Sequence, residues 1–276
     1  MSRYKYTLGF IGAGNMAEAI AQSAIESGVV DSHDILAADL SADRLAIFEA
    51  MGTKTTPESG DVAEKAEQVI LAFKPQSMAE ALPAIAERFH KNQIVISIMA
   101  GIGSEKIADC IKQAGGPQVK VVRVMPNTPI MVGRGMAGIA TGAGAGAEDD
   151  QFAMQLFSAA NNKAVRVTED QLHDITAVSG SGPAYVFFVA EAMQKAAEKL
   201  GLGPMSDELV AQTLLGASQL LSESNDSAAE LRQKVTSPKG TTEAAINSMD
   251  AGGLTDVIGA GMAACRKRSV ELGKTL

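Results

Sequence analysis

Short apolar runs alternate with helically spaced segments through the first part of the chain. The runs are Tyr6–Ile11, Ile35–Asp39, Gln68–Phe73, Gln93–Ile98, Val119–Met125, Met136–Ala140 and Lys163–Val167. Strands separated by helices predict right-handed β-α-β crossovers and a mostly parallel, doubly wound sheet. From Thr168 onward the strand pattern stops. Helical spacing then predicts five helices, over Pro183–Leu200, Ser206–Leu221, Ala228–Val235, Thr241–Met249 and Leu254–Leu272. Thr168-x-x-Gln171 and Ser227-x-x-Glu230 fit capping boxes. The pattern therefore predicts an α/β region over residues 1–166 and an all-helical region over 167–276.

The first helix of the second region opens with Ala184-Tyr185-Val186-Phe187-Phe188-Val189-Ala190, apolar nearly all round. Such a helix must be covered on every side. In a small helical domain the simplest cover is a second copy of the same surface, so a homo-oligomer is expected. A central helix inside a single-chain bundle is the alternative.

The first strand runs into Gly12-x-Gly14-x-x-Ala17 and then into a helix spaced Ile20, Ala21, Ala24, Ile25. This is the dinucleotide fingerprint in its required setting, with a strand before it and a helix after it. Gly12 permits the tight turn, Gly14 lets backbone approach a pyrophosphate, and Ala17 keeps helix and strand close. The N–H groups of Asn15 and Met16 can face phosphate. The second strand ends in Asp39, 22 residues past Ala17, where a ribose-binding acid belongs. A Rossmann-type domain binding NAD or NADP follows for residues 1–166, with Ile11, Gly12, Ala13, Gly14, Asn15, Met16 and Asp39 as cofactor-binding residues.

Composition narrows the class without changing it. The chain has 276 residues, 46% of them hydrophobic and 20% charged, which is ordinary globular usage. A formal charge of −8 gives no support for nucleic-acid binding, and Arg266-Lys267-Arg268 reads as a solvated helix face. Cys110 and Cys265 stand alone, as expected of idle thiols in a reducing compartment. His33, His90 and His173 show no pairing with Cys or acid at ligand spacing, so no metal is expected. The longest apolar run, Ala184 to Ala190, is too short to span a bilayer, and no targeting segment precedes the first strand. A cytoplasmic enzyme without membrane attachment is expected.

A second anion-binding pattern lies near the C-terminus in Thr236-Ser237-Pro238-Lys239-Gly240-Thr241-Thr242-Glu243. Pro238 and Gly240 break the chain, and the helical spacing resumes at Ala244. Ser237, Gly240, Thr241 and Thr242 are thereby placed at a helix N-terminus, where free N–H groups favour a carboxylate or phosphate. A simple helix cap would explain only one or two of these hydroxyls.

Five motifs in order complete the pattern. They are Gly9-Phe10-Ile11-Gly12-Ala13-Gly14-Asn15-Met16-Ala17, Ala72-Phe73-Lys74-Pro75-Gln76, Arg123-Val124-Met125-Pro126-Asn127-Thr128-Pro129, Ser179-Gly180-Ser181-Gly182-Pro183-Ala184-Tyr185, and Val235-Thr236-Ser237-Pro238-Lys239-Gly240-Thr241-Thr242. Over essentially its whole length the chain resembles the pyrroline-5-carboxylate reductase family. The resemblance implies reduction of 1-pyrroline-5-carboxylate to L-proline by NADPH or NADH, the last step of proline synthesis. It also implies a Rossmann domain followed by a helical dimerisation domain, often in decamers built from dimers.

The resemblance implies roles residue by residue. Thr242 matches the catalytic threonine, hydrogen-bonding the ring nitrogen so that the C=N carbon accepts hydride. Ser237, Lys239, Gly240 and Thr241 would hold the substrate carboxylate, with Asn127 at the substrate pocket. Ala72, Phe73, Lys74 and Pro75 form a cofactor-contacting loop, and Met99 and Ala100 another. Ser179 to Pro183 is either a substrate segment or merely the start of a helix.

The family pattern is departed from twice. Lys239 stands where the family usually has the first Gly of a Gly-Gly pair. Asp39 stands where NADPH-preferring members carry small or hydroxyl residues, although Ser41 and Arg44 lie near enough to meet a 2′-phosphate. Two other readings fit parts of the chain. One is a related two-domain hydroxy-acid dehydrogenase, for which only Lys195 and Lys199 could serve as acid–base. The other is a non-catalytic dinucleotide-binding protein.

Overall fold

The computed structural model describes residues 3–275. Eight strands form one sheet: β1 (Tyr6–Ile11), β2 (Ile35–Ala38), β3 (Lys54–Thr56), β4 (Ala66–Leu71), β5 (Ile94–Ser97), β6 (Lys120–Met125), β7 (Met136–Thr141) and β8 (Lys163–Arg166). The helices on this part of the chain are α1 (Asn15–Glu26), α2 (Ala42–Ala50), α3 (Ser59–Lys65), α4 (Met78–Ile85), α5 (Ser104–Gln113), α6 (Gln151–Phe157) and the short α7 (Leu172–Ile175). Beyond them lie α8 (Gly182–Lys199), α9 (Ser206–Glu223), α10 (Ala228–Lys234), α11 (Thr241–Ala251) and α12 (Leu254–Thr275).

The strand order is β3-β2-β1-β4-β5-β6-β7-β8. Strands β1 to β6 are mutually parallel; β7 runs antiparallel to β6, and β8 parallel to β7. The order reverses between β1 and β4. At this switch point the loops at the carboxyl ends diverge and leave a crevice for a ligand.

Both faces of the sheet are covered, so its central strands read as continuous apolar runs rather than alternating ones. Val69, Leu71 and Val95 belong to one apolar cluster, while Ile70, Ile96 and Val122 belong to the other. Strand β3 was not apparent from the sequence. It has three residues, Lys-Thr-Thr, and sits at the edge of the sheet, so burial leaves no apolar signature on it.

By compactness the chain divides into two units. One comprises Met1–Ser181 with Cys265–Leu276, and the other Gly182–Ala264. Residues 167–181 therefore pack with the sheet, although no strand forms after Arg166. They reach it through two close approaches. A Cβ on Gly138 would lie 2.9 Å from the Ile175 side chain, and one on Gly180 would lie 2.6 Å from Met125 Cε. The last turns of α12 join the same unit. There His173 Nδ1 lies 2.8 Å from Ser269 Oγ, and Arg266 pairs with Asp174.

The five helices expected after Pro183 are present to within a few residues at each end. Ser227 and Glu230 form a complete capping box. Thr168 and Gln171 make the reciprocal pair of bonds as well, leading into α7. Among the side chains of the smaller unit only Ser206 and Val210 are buried. Phe187 and Phe188 are 68% and 72% exposed, which leaves the apolar opening of α8 uncovered within one chain. No helix among the described residues is long and apolar enough to cross a membrane.

Candidate functional site

The expected site residues fall on both units. On the larger unit they collect at the carboxyl edge of the parallel strands. Gly12 follows β1 with φ +97°, and a Cβ there would lie 2.9 Å from the backbone of Ala72 and Phe73. Gly12 thus serves two needs, a turn forbidden to side chains and close contact with the loop after β4. That loop is pinned further by Ala72 N–H, which donates to Ile11 C=O at 2.9 Å. Phe73 and Pro75 are half-buried beside it and Lys74 is exposed.

Gly14 differs from Gly12. Its φ is −69°, and an added Cβ would meet no protein atom within 4 Å. Neither strain nor packing within the chain requires glycine there. A ligand brought close to the backbone does require it. Gly14 is also the N-cap of α1 and makes no side-chain cap bond, so the first N–H groups of the helix, including Asn15 and Met16, face the loop without a competing side chain. The residues fit a dinucleotide pyrophosphate.

Ile11 and Ala13 are buried, and so is Met99. Met99 is part of the sheet core, so its side chain supports the loop after β5, leaving backbone and the half-buried Ala100 to face a ligand. Gly101, next in line, has φ +81° and packs against the last turns of α12: a Cβ on Gly273 would lie 2.4 Å from Gly101 C=O. Nothing in the sequence pattern pointed to this support.

Asp39 immediately follows β2, one residue past the strand end, and its carboxylate is engaged by backbone. Oδ2 accepts from Ala13 N–H at 2.7 Å and Oδ1 from Ser41 N–H at 2.9 Å. Arg44 donates to Ala13 C=O at 2.6 Å and pairs with Glu18 at 2.6 Å. Ser41 Oγ caps α2 by accepting Arg44 N–H. The two groups expected within reach of a 2′-phosphate therefore already have partners.

Asn127 follows β6 and is tied into the chain by its own amide. Its side chain is buried, and both ends of the amide are used. Nδ2 donates to Ser179 C=O at 3.0 Å, and Oδ1 accepts Met136 N–H at 2.8 Å. Ser179 lies in a π-helical stretch, Thr176–Gly180, just before α8. A π-turn leaves the ordinary helical bonding pattern, and Asn127 satisfies the carbonyl there. The Ser179–Pro183 motif is thus anchored to the loop after β6. Arg123, earlier in the same motif, is also buried and pairs with Glu169 at 3.3 Å. Burial pulls its guanidinium below the usual range, and Glu169 opposes that shift.

On the smaller unit, α10 ends at Lys234 and α11 begins at Thr241, with Gly240 as N-cap. Gly240 N–H donates to Ser237 C=O at 3.0 Å, closing a turn with Pro238 and Lys239 at its centre. Lys239 has φ +61°. Proline at the second position and positive φ at the third mark a type II turn, whose third position favours glycine. Lys239 N–H is held by Glu243 at 2.7 Å, with Glu243 reaching back from the first turn of α11. A Cβ on Gly240 would lie 2.9 Å from the backbone oxygen of Ser237, so a side chain there would press on the backbone of the turn.

The hydroxyls of this turn divide sharply. Thr236 Oγ1 donates to Arg232 C=O at 2.6 Å, finishing α10. Those of Ser237, Thr241 and Thr242 make no hydrogen bond among the described residues, and α11 has no side-chain cap. Several idle hydroxyls beside an uncapped helix N-terminus are suited to holding an anion and donating one further hydrogen bond.

Comparison with known proteins agrees with both halves. Residues 169–272 match the family model described as pyrroline-5-carboxylate reductase dimerisation. Residues 7–101 match NADP oxidoreductase coenzyme F420-dependent. A pyrroline-5-carboxylate reductase of Haemophilus influenzae is 39% identical over 96% of this chain and 97% of its own length. The chain belongs to the pyrroline-5-carboxylate reductase family. A family member from Methanosarcina acetivorans is 36% identical over 97% of this chain and 98% of its own. Among solved structures, the reductase of Coxiella burnetii superposes with a TM-score of 0.87 at 35% identity, covering 98% of this chain and 99% of that one. Structures of 3-hydroxyisobutyrate dehydrogenase share the fold alone, at 14% identity and TM-scores of 0.51 and 0.52.

Two further expectations can be placed. Cys110 and Cys265 are free, and burial pushes the Cys110 thiol up. His33 is less isolated than its sequence suggested. The turn before β2 brings Asp31, His33 and Asp34 together, with one ligand atom of each within 4.8 Å of the others. Asp31 and His33 are exposed and Asp34 half-buried, and the cluster precedes β2, at the opposite end of that strand from Asp39.

Proposed function

We propose that this chain reduces 1-pyrroline-5-carboxylate to L-proline with NADH or NADPH, the final step of proline synthesis. The observation that carries the reading is the start of α11, where unused hydroxyls stand at an uncapped helix N-terminus. A bound nicotinamide supplies the hydride. The chain's residues supply the rest. Ser237 and the free N–H groups at the start of α11, from Thr241 onward, hold the substrate carboxylate, with Lys239 and Gly240 forming the turn beside them; Gly240 N–H is itself spent on Ser237 C=O. Thr242 Oγ1 hydrogen-bonds the ring nitrogen, raising the electrophilicity of the C=N carbon; as the carbon gains hydride, the nitrogen takes its proton from solvent water through that hydroxyl, which is reprotonated in the same relay. Gly12, Gly14, Asn15 and Met16 cradle the pyrophosphate, Asp39 faces the ribose, and residues 72–75 and 99–100 line the cofactor. Asn127 acts by holding Ser179 in place.

The domain division proposed is 1–166 for the cofactor and 167–276 for substrate and dimerisation, supported by a family match that begins at residue 169. A homodimer through the helical domain, assembled further into decamers, is the proposed oligomer. A cytoplasmic location and no nucleic-acid partner complete the reading. A hydroxy-acid dehydrogenase is disfavoured because Lys195 is exposed and paired with Glu191 on the same helix. The deciding experiment is turnover of pyrroline-5-carboxylate with NADH and NADPH side by side. Binding of dinucleotide without turnover would leave only the non-catalytic reading.

A further inference from the structure

Around Ala13 the structure builds a charge arrangement that the fingerprint itself does not need. The residue is gripped from both sides: Asp39 takes its N–H at 2.7 Å, and Arg44 donates to its C=O at 2.6 Å. Arg44 is in turn paired with Glu18, from the first turn of α1, at 2.6 Å. The pair is not a loose surface contact, since the Arg44 and Glu18 side chains are 22% and 28% exposed. Glu18 also lies in the first turn of α1, at the positive end of the helix dipole.

Resting on the dinucleotide-binding part of the function proposed above, we propose that this chain selects NADH over NADPH, and that Glu18 enforces the choice by holding Arg44. A 2′-phosphate brings nearly two negative charges to the end of β2. There it meets two carboxylates against one guanidinium, and that guanidinium is already committed to Glu18 and to Ala13 C=O. Recruiting Arg44 would strip Glu18 of its partner in a half-buried setting, where a lone carboxylate is costly. A free ribose diol has the opposite fit. Each Asp39 oxygen accepts one backbone N–H and keeps a lone pair for a hydroxyl donor. Glu18 thus acts through Arg44, as a specificity residue that need not touch the ribose.

The test is calorimetric titration of the purified oligomer with NAD⁺ and NADP⁺, which reads binding without turnover. The unmodified protein should bind NAD⁺ roughly ten-fold or more tightly than NADP⁺, the order expected of an unfavourable charge contact. Glu18→Gln keeps the hydrogen-bonding shape and removes the charge. It should improve NADP⁺ binding by roughly ten-fold while NAD⁺ changes less than about three-fold. Adding Arg44→Ala to that variant should abolish the gain. Salt gives a second reading on the unmodified protein, because raising ionic strength should narrow the NAD⁺ advantage. The proposal is overturned if the unmodified protein binds NADP⁺ as tightly as NAD⁺. It is equally overturned if Glu18→Gln shifts both affinities alike, for Glu18 would then only brace the loop. Failure of the reductase reading shows separately, as binding of dinucleotide without reduction of pyrroline-5-carboxylate.

Discussion

Two residues of the Ser237–Thr242 turn separate chemistry from conformation. Thr242 carries a hydroxyl that makes no hydrogen bond among the described residues, at the second position of α11. Thr242→Ala should lower kcat roughly 10- to 100-fold, the order of one lost hydrogen bond to a reacting group, while the Kd for dinucleotide stays unchanged. Steady-state kinetics with calorimetry checks this, and wild-type rates would remove Thr242 from the mechanism. Lys239 holds φ +61°, a region costing a side-chain-bearing residue about 1 kcal/mol and a β-branched one more. Lys239→Val should therefore destabilise the fold by about 1–2 kcal/mol, whereas Lys239→Gly should be near neutral, because glycine's freedom in the unfolded chain offsets the relieved strain. Urea titration distinguishes the two. If Lys239→Gly also raises KM for the substrate, the ammonium contributes to holding the carboxylate.

At the scale of elements, the junction of β1 with α1 contains two glycines whose requirements differ, and substitution should separate them. Gly12→Ala would place a methyl 2.9 Å from the backbone of the β4 loop at φ +97°. It should cost about 2–4 kcal/mol, combining backbone strain with overpacking, and lower the thermal midpoint. Gly14→Val would meet no protein atom within 4 Å of its Cβ and has an ordinary φ, so the fold should survive. Dinucleotide binding should be lost, because the side chain occupies the approach to the pyrophosphate. A folded Gly14→Val protein that still bound NAD(P)H normally would count against the site. The glycine pattern was legible in the sequence, but not which glycine serves the fold and which the ligand. That division depends on what each Cβ would meet.

The unit formed by Gly182–Ala264 buries almost nothing within one chain, which makes its assembly the largest expectation at the scale of the molecule. Phe187 and Phe188 on α8 and Leu215 on α9 are all more than half exposed, a patch of the kind that marks an interface. Phe188→Asp should leave the single chain able to fold, since residue 188 is 72% exposed there. It should disrupt the oligomer, because the charge would be buried without a partner on assembly. Light scattering at micromolar concentration checks both parts. A monomeric unmodified protein, or an oligomer untouched by the substitution, would show that another surface covers α8.

Much of this protein follows from local pattern. Strand runs, the glycine turn, Asp39 at a strand end, the two capping boxes and the five later helices depend on periodicity and backbone chemistry within a few residues, so they could be read along the chain. So could the placement of Ser237, Gly240, Thr241 and Thr242 at a helix start. Tertiary structure decided what depended on partners distant in sequence. Strand β3 is fixed by its pairing with β2, since Lys54–Thr56 is too short and too polar to announce a strand by itself. The π-turn before α8 depends on packing against Gly138 and Met125 and on a carbonyl satisfied by Asn127, 52 residues away. The pairing of Arg44 with Glu18, 26 residues apart, likewise committed a side chain expected near a phosphate to a partner on another helix. A sequence names which groups are present, but a hydrogen bond or charge is committed only when folding brings its partner within reach.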